Sequence, residues 1–114
     1  MMLSSVIQSF VEDFGKRDLA AISPHISSNF QWFKPDGSLV LEGSKNFLDA
    51  IAQMWVDHPQ LTNTSSISVE IGNLVTHSEM FKGFSDGHIE EWVWVYEFKE
   101  LKIEKMYGFQ PTQL

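Results

Sequence analysis

The chain has 114 residues, 43% hydrophobic and 20% charged, which fits one folded domain spanning 1–114 and not a disordered chain. A net charge of -7 repels phosphate backbones, so nucleic acid is not an expected partner. There is no cysteine to form disulfides or supply thiol chemistry, and nine Phe with four Trp point to a core or cavity built from rings.

The opening MMLSSVIQSF lacks a basic n-region and a small-residue cleavage site, and no apolar run in the chain approaches ~18 residues. A cytoplasmic protein that neither enters nor docks on a membrane is expected. Leu3, Val6, Ile7, Phe10, Val11 and Phe14 follow the spacing of one face of an amphipathic helix. Gly15 is placed to stop that helix at C′, with Lys16 and Arg17 near its negative end. Asp18 then caps a short second helix through Leu19-Ala20-Ala21-Ile22, which Pro24 breaks or kinks.

Phe30 to Lys34 reads as a strand, Pro35-Asp36-Gly37 as a tight turn, and Ser38 to Glu42 as the hairpin partner. Ser44 can cap a third helix, whose apolar stripe is Phe47, Ile51, Met54 and Trp55 and whose end is marked by Pro59. Thr62 to Ile71 is the next strand, with Ile67, Val69 and Ile71 alternating against Ser66, Ser68 and Glu70. Three more extended runs follow from Leu74 to Phe109, separated by turn chemistry at Ser85-Asp86-Gly87 and Lys99-Glu100. In the middle run Trp92, Trp94, Tyr96 and Phe98 share one face, with Val93 and Val95 on the other. An aromatic sheet face of that kind needs a cover, and the three helices are there to supply it.

This order of elements resembles the nuclear transport factor 2-like superfamily, in its SnoaL-like and ketosteroid-isomerase-like branch. The local marks are the Lys16-Arg17-Asp18-Leu19 junction, the Phe30 to Gly43 hairpin, and the ending WVYEF…KIEKMYGF. The resemblance implies a cone-shaped, cystatin-like α+β barrel, with three N-terminal helices packed on a curved, mostly antiparallel mixed sheet. It also implies a pocket between sheet and helices and a homodimer formed through the sheet. Members of this fold include isomerases, cyclases, hydrolases, dehydratases and non-catalytic modules, so the fold alone assigns no chemistry.

Ketosteroid isomerases work with a carboxylate base and an oxyanion hole of a Tyr and a protonated Asp. By resemblance those three places fall on Lys34, Phe10 and Trp94, none of which can fill its role. The same alignment turns Val75, His77, Glu79 and Phe81 into the pocket. His77 and Glu79, two apart on a strand, point the same way, and a carboxylate beside an imidazole is how an acid–base pair is built. The plainer alternative is a hydrated polar patch or a satisfied pair at an interface.

Trp92, Trp94 and Tyr96 can form a ring-lined wall for a small apolar or aromatic molecule, and Trp32 and Trp55 can reach its mouth; ordinary core packing is the alternative. Lys34 could hold an anionic group or act as an amine nucleophile, although a lysine near a hairpin end usually extends to water. His25, His58, His77 and His88 share no metal-binding spacing, and no phosphate loop, Ser nucleophile motif or dinucleotide fingerprint is present, so neither metal nor cofactor is expected. The expected function is binding or modifying a small molecule in an aromatic pocket, with His77 and Glu79 as the polar pair. The other class is a non-catalytic dimeric module that binds a ligand or a protein.

Overall fold

The structure is a computed structural model and describes residues 2–110, with backbone alone at 66 and 67. Its elements are α1 (Leu3–Gly15), α2 (Leu19–Ile22), a 3-10 turn (Ser23–His25), β1 (Ile26–Phe33), β2 (Leu39–Glu42), α3 (Ser44–Asp57), β3 (Thr62–Ile71), β4 (Leu74–Lys82), β5 (Glu90–Lys99) and β6 (Lys102–Phe109). The six strands form one sheet in the order β2-β1-β6-β5-β4-β3. All neighbours are antiparallel except β1 and β6, so the sheet is mixed. With β2 and β3 at its edges the cone-shaped α+β fold stays open on one side and does not close into a barrel.

α1 buries Val6, Ile7, Phe10 and Phe14, as the helical spacing requires, and packs on β3 and β4. Its first turn has no side-chain cap of its own; the Glu70 carboxylate on β3 accepts a hydrogen bond from Ser4 N at 2.9 Å and fills that need. The end differs from expectation. Gly15 is the last helical residue, and the left-handed C′ position is Arg17, with φ of 58°. Arg17 N donates to Phe14 O and Asp18 N to Asp13 O, both at 3.0 Å, which is a Schellman closure without glycine. A long-range clamp offsets that backbone strain: the Arg17 guanidinium donates to the carbonyls of Trp55, Pro59 and Leu61 and lies 5.9 Å from the Trp55 ring centroid. The Asp18 cap is present, with its carboxylate accepting from Ala21 N.

β1 begins at Ile26, four residues before the predicted start, and ends at Phe33. The segment Ser27-Ser28-Asn29 carries no strand signal, yet parallel pairing with β6 draws it in, through a register irregularity between Ile26 and Gln31. Gly43, at φ of 91°, is the N-cap of α3 in place of Ser44, which is the first helical residue. β4 stops at Lys82 because Gly83 turns away at φ of 92° against the backbone of Gln60; a Cβ there would sit 2.0 Å from the Gln60 oxygen.

β3 has its predicted ends but not a uniform alternation. Ser65 pairs with Glu79 and Ser68 with His77, so three steps on β3 match two on β4. That bulge turns both serines to the inner face, whereas strict alternation would have sent them to opposite faces. The predicted side-chain directions of Ser66 and Ile67 lie outside the described residues. Val69 and Ile71 face outward and are exposed.

Candidate functional site

The concave face of the sheet is built by alternation. On β4 Val75, His77, Glu79 and Phe81 are buried, and on β5 Trp94, Tyr96 and Phe98 are buried, with Trp92 half-buried. Cross-strand pairing sets Glu79 against Trp92 and His77 against Trp94. Helices α1 and α3 cover this face, but they do not fill it. Between them lies a cavity of about 280 Å³, just below the roughly 300–1,000 Å³ usual for ligand sites.

Its walls are rings and thioethers. Phe10 and Phe14 come from α1, Phe47 and Met54 from α3, Trp32 from β1 and Trp94 from β5. The rings brace one another: Phe10 on Phe47 at 6.3 Å, Phe30 on Phe47 at 4.4 Å, and Trp32 edge-on to Trp94 at 5.8 Å between centroids. Trp92 stacks on Trp94 at 4.6 Å and 4°, and room for this stack comes from Gly108 on the neighbouring strand. A Cβ on Gly108 would lie 2.5 Å from Trp94 and 3.0 Å from Trp92.

Two ionisable side chains reach this lining, Glu79 and Tyr96. The Glu79 carboxyl accepts from Asn63 Nδ2 at 2.8 Å and from Trp94 Nε1 at 3.1 Å, one donor on each oxygen. Burial pushes its pKa from 4.5 up to about 7, against those two hydrogen bonds, which favour the charged form. Asn63 is itself held by α1, its amide also donating to Val11 O at 3.3 Å. Burial raises the Tyr96 phenol well above 10, and the nearby Glu79 charge adds to that.

His77 shares the strand face with Glu79 but not its surroundings. Its Nδ1 lies 3.3 Å from the Ser65 hydroxyl and 3.2 Å from that of Ser68, the two side chains brought inward by the β3 bulge. Its ring packs 6.3 Å from Tyr96, and Nε2 is buried without a hydrogen-bond partner among the described residues. Burial pushes its pKa from 6.5 down to about 4, which keeps it neutral at pH 7. The described contacts tie Glu79 to Asn63 and Trp94, and His77 to the serines; they do not join the two into a pair.

The remaining sequence candidates fall in three groups. Trp32, Trp94 and Tyr96 line the cavity. Trp92 backs Trp94 and donates from Nε1 to Glu90 at 2.9 Å, beside a second opening of about 250 Å³ that Thr64 and Met80 also line. Trp55 packs edge-on against Phe14 at 5.4 Å and under Arg17, in the wall behind the cavity. Lys34 is exposed at the hairpin turn, where its backbone bonds Ser38 and Gly37, and it lies outside the cavity. Sequence reasoning missed Asn63, because the bulge breaks the alternation that would have shown it facing inward. Among the described residues no group of three or more His, Cys, Asp or Glu could hold a metal ion, and no helix is long and apolar enough to cross a membrane.

No family model matches the sequence, and no curated protein matches it. Solved structures do match in shape. An uncharacterised cystatin-fold protein from Novosphingobium aromaticivorans is similar with a TM-score of 0.86 at 16% identity, covering 96% of this chain and 98% of that one. An NTF2-like protein of unknown function from Cytophaga hutchinsonii gives 0.80 at 15%, covering 97% and 91%. The chain has the NTF2-like fold. A protein with a ketosteroid isomerase-like fold from Catenulispora acidiphila, in complex with trimethylamine, gives 0.76 at 9%, covering 91% and 83%. At these identities the likeness is one of fold, and the NTF2-like chain must be read from its own side chains.

Proposed function

We propose that this protein binds a small apolar or aromatic molecule in the cavity under α1 and α3, and that Glu79 exchanges a proton with it. The observation that carries this reading is a buried carboxyl, 6% exposed, that lines an otherwise ring-walled cavity. At a pKa of about 7 Glu79 is near half ionised at neutral pH, so it can both take and return a proton. Acid–base chemistry of the isomerase, cyclase or hydrolase type fits such a group. His77, neutral and held by two serines, supports β4 behind Tyr96.

A second reading, binding without turnover, draws on Glu79 being, among the described residues, the one carboxyl or imidazole in the lining. We also infer a homodimer through the outer sheet face, which carries exposed Val69 and Ile71 on β3 and, across β4, half-buried Val93 and Val95 on β5. Sedimentation showing only monomer at micromolar concentration would remove that inference.

The test of the main reading is a thermal-shift and tryptophan-fluorescence screen of small aromatic compounds, followed by turnover assays of every binder with Glu79→Gln. A ligand at ~100 times its dissociation constant stabilises by about 2.7 kcal/mol, which such a screen detects. Binders whose turnover vanishes in Glu79→Gln support acid–base catalysis; binders that wild type leaves unchanged support the module. A screen without binders refutes both.

A further inference from the structure

The hydrogen-bonding around Glu79 is made for a charged carboxylate in a place that offers no countercharge. Asn63 donates to one oxygen and Trp94 to the other. A protonated carboxyl would put its hydrogen on one of these oxygens, which then becomes a poor acceptor, so one of the two donors would lose its partner. Desolvation acts the other way and penalises the bare anion. What resolves both is a positive group brought by the ligand. Among the described residues no lysine, arginine or histidine lines the cavity, and His77, whose Nδ1 lies beside Ser65 and Ser68, is outside that lining.

We propose that the ligand carries a protonated nitrogen: a small aromatic or cyclic amine whose ammonium pairs with Glu79 and whose hydrocarbon body packs among the rings. The proposal rests on the cavity being a ligand site. Each Glu79 oxygen keeps a lone pair beyond the one used by Asn63 or Trp94, so the carboxylate can accept from an ammonium without giving up either bond. Trp32 also lines the cavity, and the face of an indole attracts a cation stripped of water. The overall charge of -7 draws cations toward the chain. An anionic ligand, which Lys34 could have served from the sequence, finds no cationic side chain in the described lining. The cavity volume of about 280 Å³ suits one or two rings.

Three probes of nearly equal shape separate the possibilities: naphthylmethylammonium, naphthylmethanol and naphthoate, titrated by tryptophan fluorescence at fixed salt. At about pH 8, where the amine is still protonated, the ammonium binds at least about tenfold tighter than the alcohol, and the advantage shrinks as pH falls below 7 and Glu79 takes up a proton. In Glu79→Gln the ratio of the two affinities falls to about one, whatever the absolute affinities. Should that variant not fold, calorimetry of wild type near pH 7 in two buffers of different ionisation enthalpy gives the same answer. Ammonium binding then releases a fraction of a proton from Glu79, and alcohol binding does not. An alcohol that binds as well as the ammonium overturns the amine while leaving the cavity as a ligand site, and so does naphthoate binding best. An ammonium advantage that survives in Glu79→Gln, or binds without proton release, also overturns it. If none of the three binds, the amine and the cavity reading fall together.

Discussion

Glu79 and His77 are two residues apart on β4, both buried, and their contributions to stability run in opposite directions with pH. Burial holds Glu79 at about 7 against an ordinary 4.5. Between those values the folded chain keeps a proton that the unfolded chain has lost, so stability falls as pH rises through the window. His77 is held near 4 against an ordinary 6.5. There the unfolded chain binds the extra proton, so stability rises with pH and is lost as pH falls. At about 1.4 kcal/mol per pH unit, each group spans about 3 kcal/mol across its own window. Where the windows overlap, from 4.5 to 6.5, the two slopes oppose and largely cancel.

Glu79→Gln and His77→Gln take the two apart. Urea unfolding across the range gives, for each variant, the difference in unfolding free energy from wild type. Titrations common to both chains drop out of that difference. Wild type minus Glu79→Gln falls by about 3 kcal/mol between pH 4.5 and about 7. Wild type minus His77→Gln rises by about 3 kcal/mol between pH 4 and 6.5. A flat curve for Glu79→Gln means an ordinary, solvated carboxyl and refutes the buried site. Two curves of the same sign would refute the assignment of burial as the common cause.

Other expectations follow from single contacts. Gly108→Ala drives a methyl into the Trp92–Trp94 stack, so it loses about 1–3 kcal/mol of stability and weakens the exciton signal of that pair in circular dichroism; an unchanged signal contradicts the stack. Arg17→Ala frees three carbonyls and lowers stability by about 1–2 kcal/mol in thermal unfolding, while Arg17→Gly recovers part of that loss by relieving the left-handed backbone. With Phe10 and Trp94 in the cavity wall and Lys34 outside it, a ketosteroid assay shows no Δ5-3-ketosteroid turnover above background, and Lys34→Asp does not restore it. Turnover by wild type contradicts this placement.

Much of the fold is legible because its signals are local. The stripe from Val6 to Phe14 and the cap at Asp18 specify helices without help from distant residues. The alternation through Trp94, Tyr96 and Phe98 specifies a strand with one buried face. What is not legible is what non-local partners decide. Ile26 to Asn29 joins β1 because β6 lies beside it in parallel, and nothing in Ser27-Ser28-Asn29 announces a partner strand that begins at Lys102. Arg17 takes the position expected of a glycine because its side chain reaches Trp55, Pro59 and Leu61.

The site divides in the same way. The inward direction of His77 and Glu79 follows from strand period, and both are buried. Their separation into two hydrogen-bonded groups follows from the β3 bulge, which delivers Asn63 to one and the two serines to the other. A bulge of that kind leaves no mark in an alternating run of Thr, Ser and Asn, since all of these tolerate either face.

The central claim is that the Glu79 carboxyl is the polar anchor of a ligand cavity. Carboxyl-carbon NMR of a chain labelled at glutamate, with Glu79→Gln as the assignment, tests it most directly when the titration is run alone and with saturating naphthylmethylammonium. The account predicts a midpoint of about 7 without the probe, a midpoint well below that with it, and indole shifts at Trp32 and Trp94. A Glu79 that titrates at its ordinary 4.5 and is indifferent to the probe would contradict the account.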